Sequence, residues 1–164
     1  MKAKTWAAGL GTAAIAAALT AGISVPASAQ PVPGPEEFTV IVAGNAPQLF
    51  IAQGTLDAAG TAVPVTGGTN GGVDKVQLPG GTFTLTLQNT SGGGTPVNPV
   101  TCIATFHGAG ISTISDGTGR FAGIAGSGTF TFHGAFFATR TPQGCSQQGK
   151  VIDIVHDHGT LTLG

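Results

Sequence analysis

Thr82-Phe83-Thr84-Leu85-Thr86-Leu87 alternates polar and apolar residues without a break. In an extended strand successive side chains point to opposite faces. Phe83, Leu85 and Leu87 therefore share one face and the three threonines share the other. Thr and Phe are also residues that favour the pleated, half-buried surface of a sheet. The reading repeats outward from this stretch. In Gly126–Ala138, Phe130, Phe132 and Phe136 share one face, opposite Thr129, Thr131 and His133. In Thr101–His107, Cys102, Ala104 and Phe106 lie opposite Thr101, Thr105 and His107. Phe38–Ala43, Leu49–Leu56, Lys150–Val155 and Thr160–Leu163 read as further strands. No segment after residue 29 carries a helical period.

Glycine-rich runs punctuate these strands. Gly67-Gly68-Thr69-Asn70-Gly71-Gly72 and Ser91-Gly92-Gly93-Gly94 read as loops, and Asp116-Gly117 as a turn in which glycine supplies a positive φ. About eight short strands with one polar face each predict an all-β fold with antiparallel pairing. The expected architecture is a single antiparallel β-barrel, with a β-sandwich as the alternative. A five-residue echo links two of the strands: Thr105-Phe106-His107-Gly108-Ala109 recurs as Thr131-Phe132-His133-Gly134-Ala135.

The N-terminus reads as an export signal covering residues 1–29. Lys2 and Lys4 form its basic start, Trp6–Val25 is uncharged and rich in Ala, and Pro26 precedes the small-x-small site Ala27-Ser28-Ala29. Cleavage before Gln30 predicts a secreted, extracellular protein. Residues 30–36, Gln-Pro-Val-Pro-Gly-Pro-Glu, read as a proline-rich tail, and residues 37–164 as the barrel domain. No segment of the mature chain is apolar enough to span a membrane as a helix. The two cysteines, Cys102 and Cys145, both follow the leader, and in an exported protein an even pair predicts a disulfide.

Charged residues are 8% of the chain, against about 25% in an average soluble domain. Beyond the leader the bases are Lys75, Arg120, Arg140 and Lys150, outnumbered by Glu36, Glu37, Asp57, Asp74, Asp116, Asp153 and Asp157. Nucleic-acid binding needs a clustered basic surface, so that class is excluded.

One segment resembles a known family. Gly117-Thr118-Gly119-Arg120-Phe121-Ala122-Gly123-Ile124-Ala125-Gly126 fits G-T-G-x-F-x-G-x-x-G. This resembles the strand–turn–strand signature of the allene oxide cyclase and dirigent β-barrels. With Thr101-Cys102-Ile103-Ala104-Thr105-Phe106 ahead of it, the chain also resembles small secreted actinobacterial proteins of unknown function. The resemblance implies an eight-stranded antiparallel barrel with a mainly apolar cavity. It carries no cyclase residues over. Phe121 reads as a buried plug, with Gly117 and Gly119 allowing the turn and Gly123 and Gly126 a bend.

The chemistry-bearing residues are few. His107, His133, His156 and His158 are the weak candidates for a metal site, and they follow no recognised ligand spacing. Asp153 and Asp157, four apart on one strand, are too widely spaced for a glycosidase pair. There is no nucleophile elbow, zinc-protease motif or phosphate loop, so no catalytic residue and no cofactor is assigned. Phe83, Leu85, Phe106, Phe121, Phe130, Phe132 and Phe136 read as the lining of the barrel. Small barrels either pack shut or hold one ligand. The expectation is a secreted, non-enzymatic β-barrel that is structural or binds a small apolar ligand, with another extracellular protein as the other possible partner. The alternatives are a cyclase- or isomerase-type enzyme on the same barrel, and an extracellular metal binder using the histidines.

Overall fold

The structure is a computed structural model that describes residues 32–44, 46–68 and 70–164. The expected leader and its expected cleavage before Gln30 lie outside the described residues. Eight strands follow in order: β1 Gly34–Ala43, β2 Gln48–Gly54, β3 Ala58–Gly68, β4 Gly71–Leu78, β5 Gly81–Gly94, β6 Ile103–Ser115, β7 Ala125–Thr141 and β8 Gly144–Thr162. Each pairs antiparallel with the next, and β8 returns to β1 from Gly34↔Leu161 to Ala43↔Ile152. The result is a closed up-and-down barrel rather than a sandwich. Closure removes the free sheet edges that invite pairing with other chains.

The alternation in β5 decides what faces inward. Phe83 and Leu85 are buried, while Thr84 and Thr86 between them lie on the outer surface, partly covered. Phe38 and Val40 from β1, Phe50 and Ala52 from β2, Val76 and Leu78 from β4, and Val155 and Leu161 from β8 complete the same core. One end of the barrel is packed shut. Rings run across it from Phe38 to Phe50 to Phe83 to Phe121, with centroids 5.1, 5.7 and 5.8 Å apart. The last two contacts are edge-to-face, a favoured arrangement for aromatic quadrupoles. Phe121 comes from a single 3-10 turn, Gly119–Phe121, between β6 and β7, and is the plug expected of it. The Arg120 guanidinium lies 4.8 Å from the centre of its ring.

The connection carrying that plug differs from the sequence expectation in one respect. The positive φ falls at Asp116, Gly119 and Gly123, with values of 55°, 60° and 80°, and not at Gly117. Asp tolerates the left-handed region better than most residues. Gly117 is required for space instead, because a Cβ there would run into the Phe121 carbonyl and the Ile124 side chain.

Three further expectations are corrected. The glycines of the two runs are strand rather than loop: Gly67 and Gly68 pair with Gly72 and Gly71 on either side of a turn at Asn70, and Ser91–Gly94 pair with 106–109 of β6. Backbone hydrogen bonding to a neighbour extends these ladders despite the low strand propensity of glycine. The two C-terminal segments are one strand, β8. The barrel also begins before residue 37, inside the proline-rich stretch. The Pro35 carbonyl accepts hydrogen bonds from the Thr55 amide and hydroxyl, both at 3.1 Å, and Glu36 is buried. Proline is compatible with a strand near its first residue, where the missing N–H is tolerated.

The pentapeptide echo has a physical meaning. Its two copies are antiparallel neighbours that pair about His107↔His133, so Phe106 faces Gly134 and Phe132 faces Gly108. One step along, Phe130 faces Gly110. Each ring covers the space where a Cβ on the facing glycine would clash with it. The repeated sequence is therefore self-complementary, each copy supplying the ring that covers the glycine of the other.

Candidate functional site

The end opposite Phe121 is open. There β5, β6, β7 and β8 run on past the β3–β4 turn, forming a flap whose inner face carries the half-buried rings of Phe106, Phe132 and Phe136. A disulfide holds the flap: Cys102, just before β6, is bonded to Cys145 at the start of β8, with Cα atoms 5.3 Å apart. Asn98 shapes the preceding turn, its side-chain oxygen accepting from the Val100 and Thr101 amides at 2.8 and 3.1 Å. The Ala138 amide donates to the Cys102 carbonyl at 2.8 Å, tying that turn to β7.

A cavity of about 540 Å³ occupies this open end. Val40, Val42, Leu87 and Val155 supply apolar wall, and Asp74 and Asp153 supply the carboxyls. A narrower cleft of about 140 Å³ shares Leu87, Asp153 and Val155 with it and reaches Phe130 and Phe132. Asp74 lies on β4 and Asp153 on β8, strands that are four apart in the ring in either direction. Two acids from opposite walls therefore line one apolar mouth.

Their environments push both carboxyls up from the ordinary range. For Asp74, 7% exposed, desolvation is the cause. Asp153 is raised by desolvation too, against the opposing pull of the Ile154 amide and His133. Its Oδ1 is buried with no hydrogen-bond partner. Two more interior acids serve the packed part of the barrel. The Glu36 carboxylate oxygen Oε2 accepts from the Leu56 amide at 2.7 Å, fixing the β2–β3 turn, and burial raises its carboxyl. Asp157, 3% exposed, is raised by burial, with Ser112 and His158 acting in the other direction.

The residues singled out in the sequence do not converge on one site. Phe83, Leu85 and Phe121 belong to the filled core. Phe130 is core on one side and lines the cleft on the other, together with Phe132. Phe106 and Phe132 also border a surface groove along β5 with Asn89 and His107, and Phe136 lies over Gly149 of β8. The four histidines all point outward. His107 and His133 stack with centroids 6.3 Å apart. His156 Nδ1 lies 3.3 Å from the Thr39 hydroxyl, and His158 Nδ1 lies 3.4 Å from Glu37 Oε1. Among the described residues no three His, Cys, Asp or Glu side chains are grouped to hold a metal ion. Nor is any helix there long and apolar enough to cross a membrane.

Asp74 and Asp153 were not legible as a pair. The signal for Asp153 was its place in Asp153-Ile154-Val155-His156-Asp157, where the acids alternate with outward residues. Comparison of the chain with family models, curated proteins and solved structures finds no match.

Proposed function

We propose that this chain is a secreted, non-enzymatic carrier that holds one small, largely apolar ligand in the open end of its barrel. The observation that carries this reading is the asymmetry of the interior. One end is filled by four interlocked phenylalanines, and the other keeps a cavity of about 540 Å³ with valine and leucine walls. That volume lies in the range of small-molecule sites. The disulfide supports export, since such bonds persist in oxidising compartments. The closed eight-stranded barrel is the architecture that the G-T-G-x-F-x-G resemblance to the allene oxide cyclase and dirigent barrels implies. Native mass spectrometry of protein purified from its own culture medium tests the carrier reading. A stoichiometric organic adduct is expected. A bare chain that also takes up no apolar probe would make the barrel structural.

A second reading, a cyclase or isomerase on the same barrel, is favoured by Asp74 and Asp153, two carboxyls raised by desolvation that line one cavity and could pass a proton. It predicts that the recovered ligand is chemically converted on incubation, and that Asp74→Asn or Asp153→Asn abolishes conversion while binding persists.

A further inference from the structure

The charged groups of the open cavity are of one sign, and Gln48 and Thr66 are its neutral polar side chains. Its carboxyls come from Asp74 on β4 and Asp153 on β8, and among the described residues no Lys, Arg or His lines it. The remaining bases lie elsewhere. Arg140 donates to the Val100 carbonyl in the flap turn, and Arg120 covers Phe121 at the closed end. Asp74 is more than nine-tenths buried, and Asp153, like Glu36 and Asp157 elsewhere in the interior, has a buried oxygen that no protein group satisfies, but of these three acids it is the one that lines the cavity. Buried polar atoms are almost always partnered in folded proteins, and one that is not calls for a ligand, an ion or a water. Valine and leucine side chains make up the wall beside them. Divalent cations such as Ca²⁺ or Mg²⁺ take six or more oxygen ligands, several of them carboxylate, and among the described residues no three His, Cys, Asp or Glu side chains are grouped to hold one.

From this we infer that the ligand is an organic ammonium ion with an apolar body, its N–H groups donating to Asp74 and Asp153 while its hydrocarbon lies against Val40, Val42, Leu87 and Val155. The inference rests on the carrier reading and adds the chemical class of the cargo. An anionic ligand is rejected by the same feature, because it would place a third negative group between two carboxylates with no base to offset it.

The test is a matched series of probes, octylammonium, 1-octanol and octanoate, titrated calorimetrically into the ligand-free mature protein at neutral pH. Octylammonium is expected to bind about tenfold tighter than octanol, the increment of one charge-assisted hydrogen bond, and octanoate more weakly than octanol. Asp74→Asn and Asp153→Asn should each remove most of that preference and leave octanol affinity within about twofold. The wild-type comparison of octylammonium with octanol decides the matter even where a variant fails to fold. Equal affinity for octylammonium and octanol, or a preference that survives in both variants, overturns the ammonium assignment and leaves the carrier reading standing. Absence of binding by all three probes overturns both.

Discussion

Replacing Phe83 by alanine measures how far the closed end depends on its aromatic chain. The ring is fully buried and lies between Phe50 and Phe121, with edge-to-face contacts at 5.7 and 5.8 Å. Truncating a core phenylalanine costs about 3–5 kcal/mol through lost transfer energy and the cavity left behind. Each aromatic pair adds about 0.5–1.5 kcal/mol beyond area burial. Because this ring is the middle member of the chain, both its contacts vanish together, and the upper figure of about 5 kcal/mol applies. Domains of this size are stable by about 5–15 kcal/mol, so the variant should be close to unfolded at room temperature. Phe83→Leu fills most of the space and should lose about 1–2 kcal/mol. Phe137→Ala removes an outward ring that is 40% exposed, and should change stability by less than about 1 kcal/mol. Urea unfolding followed by far-UV circular dichroism is the assay, since the chain contains no Tyr and its one Trp is Trp6, outside the barrel strands. A loss below about 2 kcal/mol for Phe83→Ala would refute the view that this ring organises the closed end.

Replacing Cys102 and Cys145 together by serine opens a loop of 43 residues, which the chain-entropy model values at about 4 kcal/mol. Denaturant midpoints should fall accordingly, and hydrogen exchange should accelerate first in the flap rather than around Phe83. At Gly110 a Cβ would meet the Gln88 carbonyl and the Phe130 ring, whereas at Gly67 it meets nothing within 4 Å. Gly110→Ala should therefore destabilise by about 1–3 kcal/mol, and Gly67→Ala by much less, in the same urea assay. The interior acids set the pH dependence. Glu36, Asp74, Asp153 and Asp157 all have carboxyls raised by burial, so the folded chain holds these protons more tightly than the unfolded one. Their favourable contribution is complete below the ordinary carboxyl range near pH 4, and is lost as pH rises through the folded values. Thermal midpoints should accordingly be higher at about pH 4 than at pH 7, and Asp157→Asn should reduce that difference; a midpoint that rises steadily with pH would contradict it.

By itself the sequence determined the class of the fold. The alternation in Thr82–Leu87 and Gly126–Ala138 assigns side chains to faces residue by residue, because the period of a strand is a local property of the backbone. The burial of Phe83, Leu85 and Phe130 followed from it, that of Phe121 from the glycine-rich motif around it, and the pairing of Cys102 with Cys145 from the expectation that an exported chain joins its two cysteines. Local pattern could not assign strands that read apolar on both faces. In β8, Ile152 and Ile154 point outward, 48% and 39% exposed, while Asp153, Val155 and Asp157 point in. In β4 an inward Asp74 sits among residues that gave no clear strand signal. Which face turns inward there is fixed by register against β1, β5 and β7, through partners that in β1 lie more than a hundred residues away in sequence. Only the tertiary structure decided that β1 closes on β8, that the Phe121 turn fills one end, and that two carboxyls from opposite walls line the other. Each of these depends on non-local pairing, which no window of sequence contains.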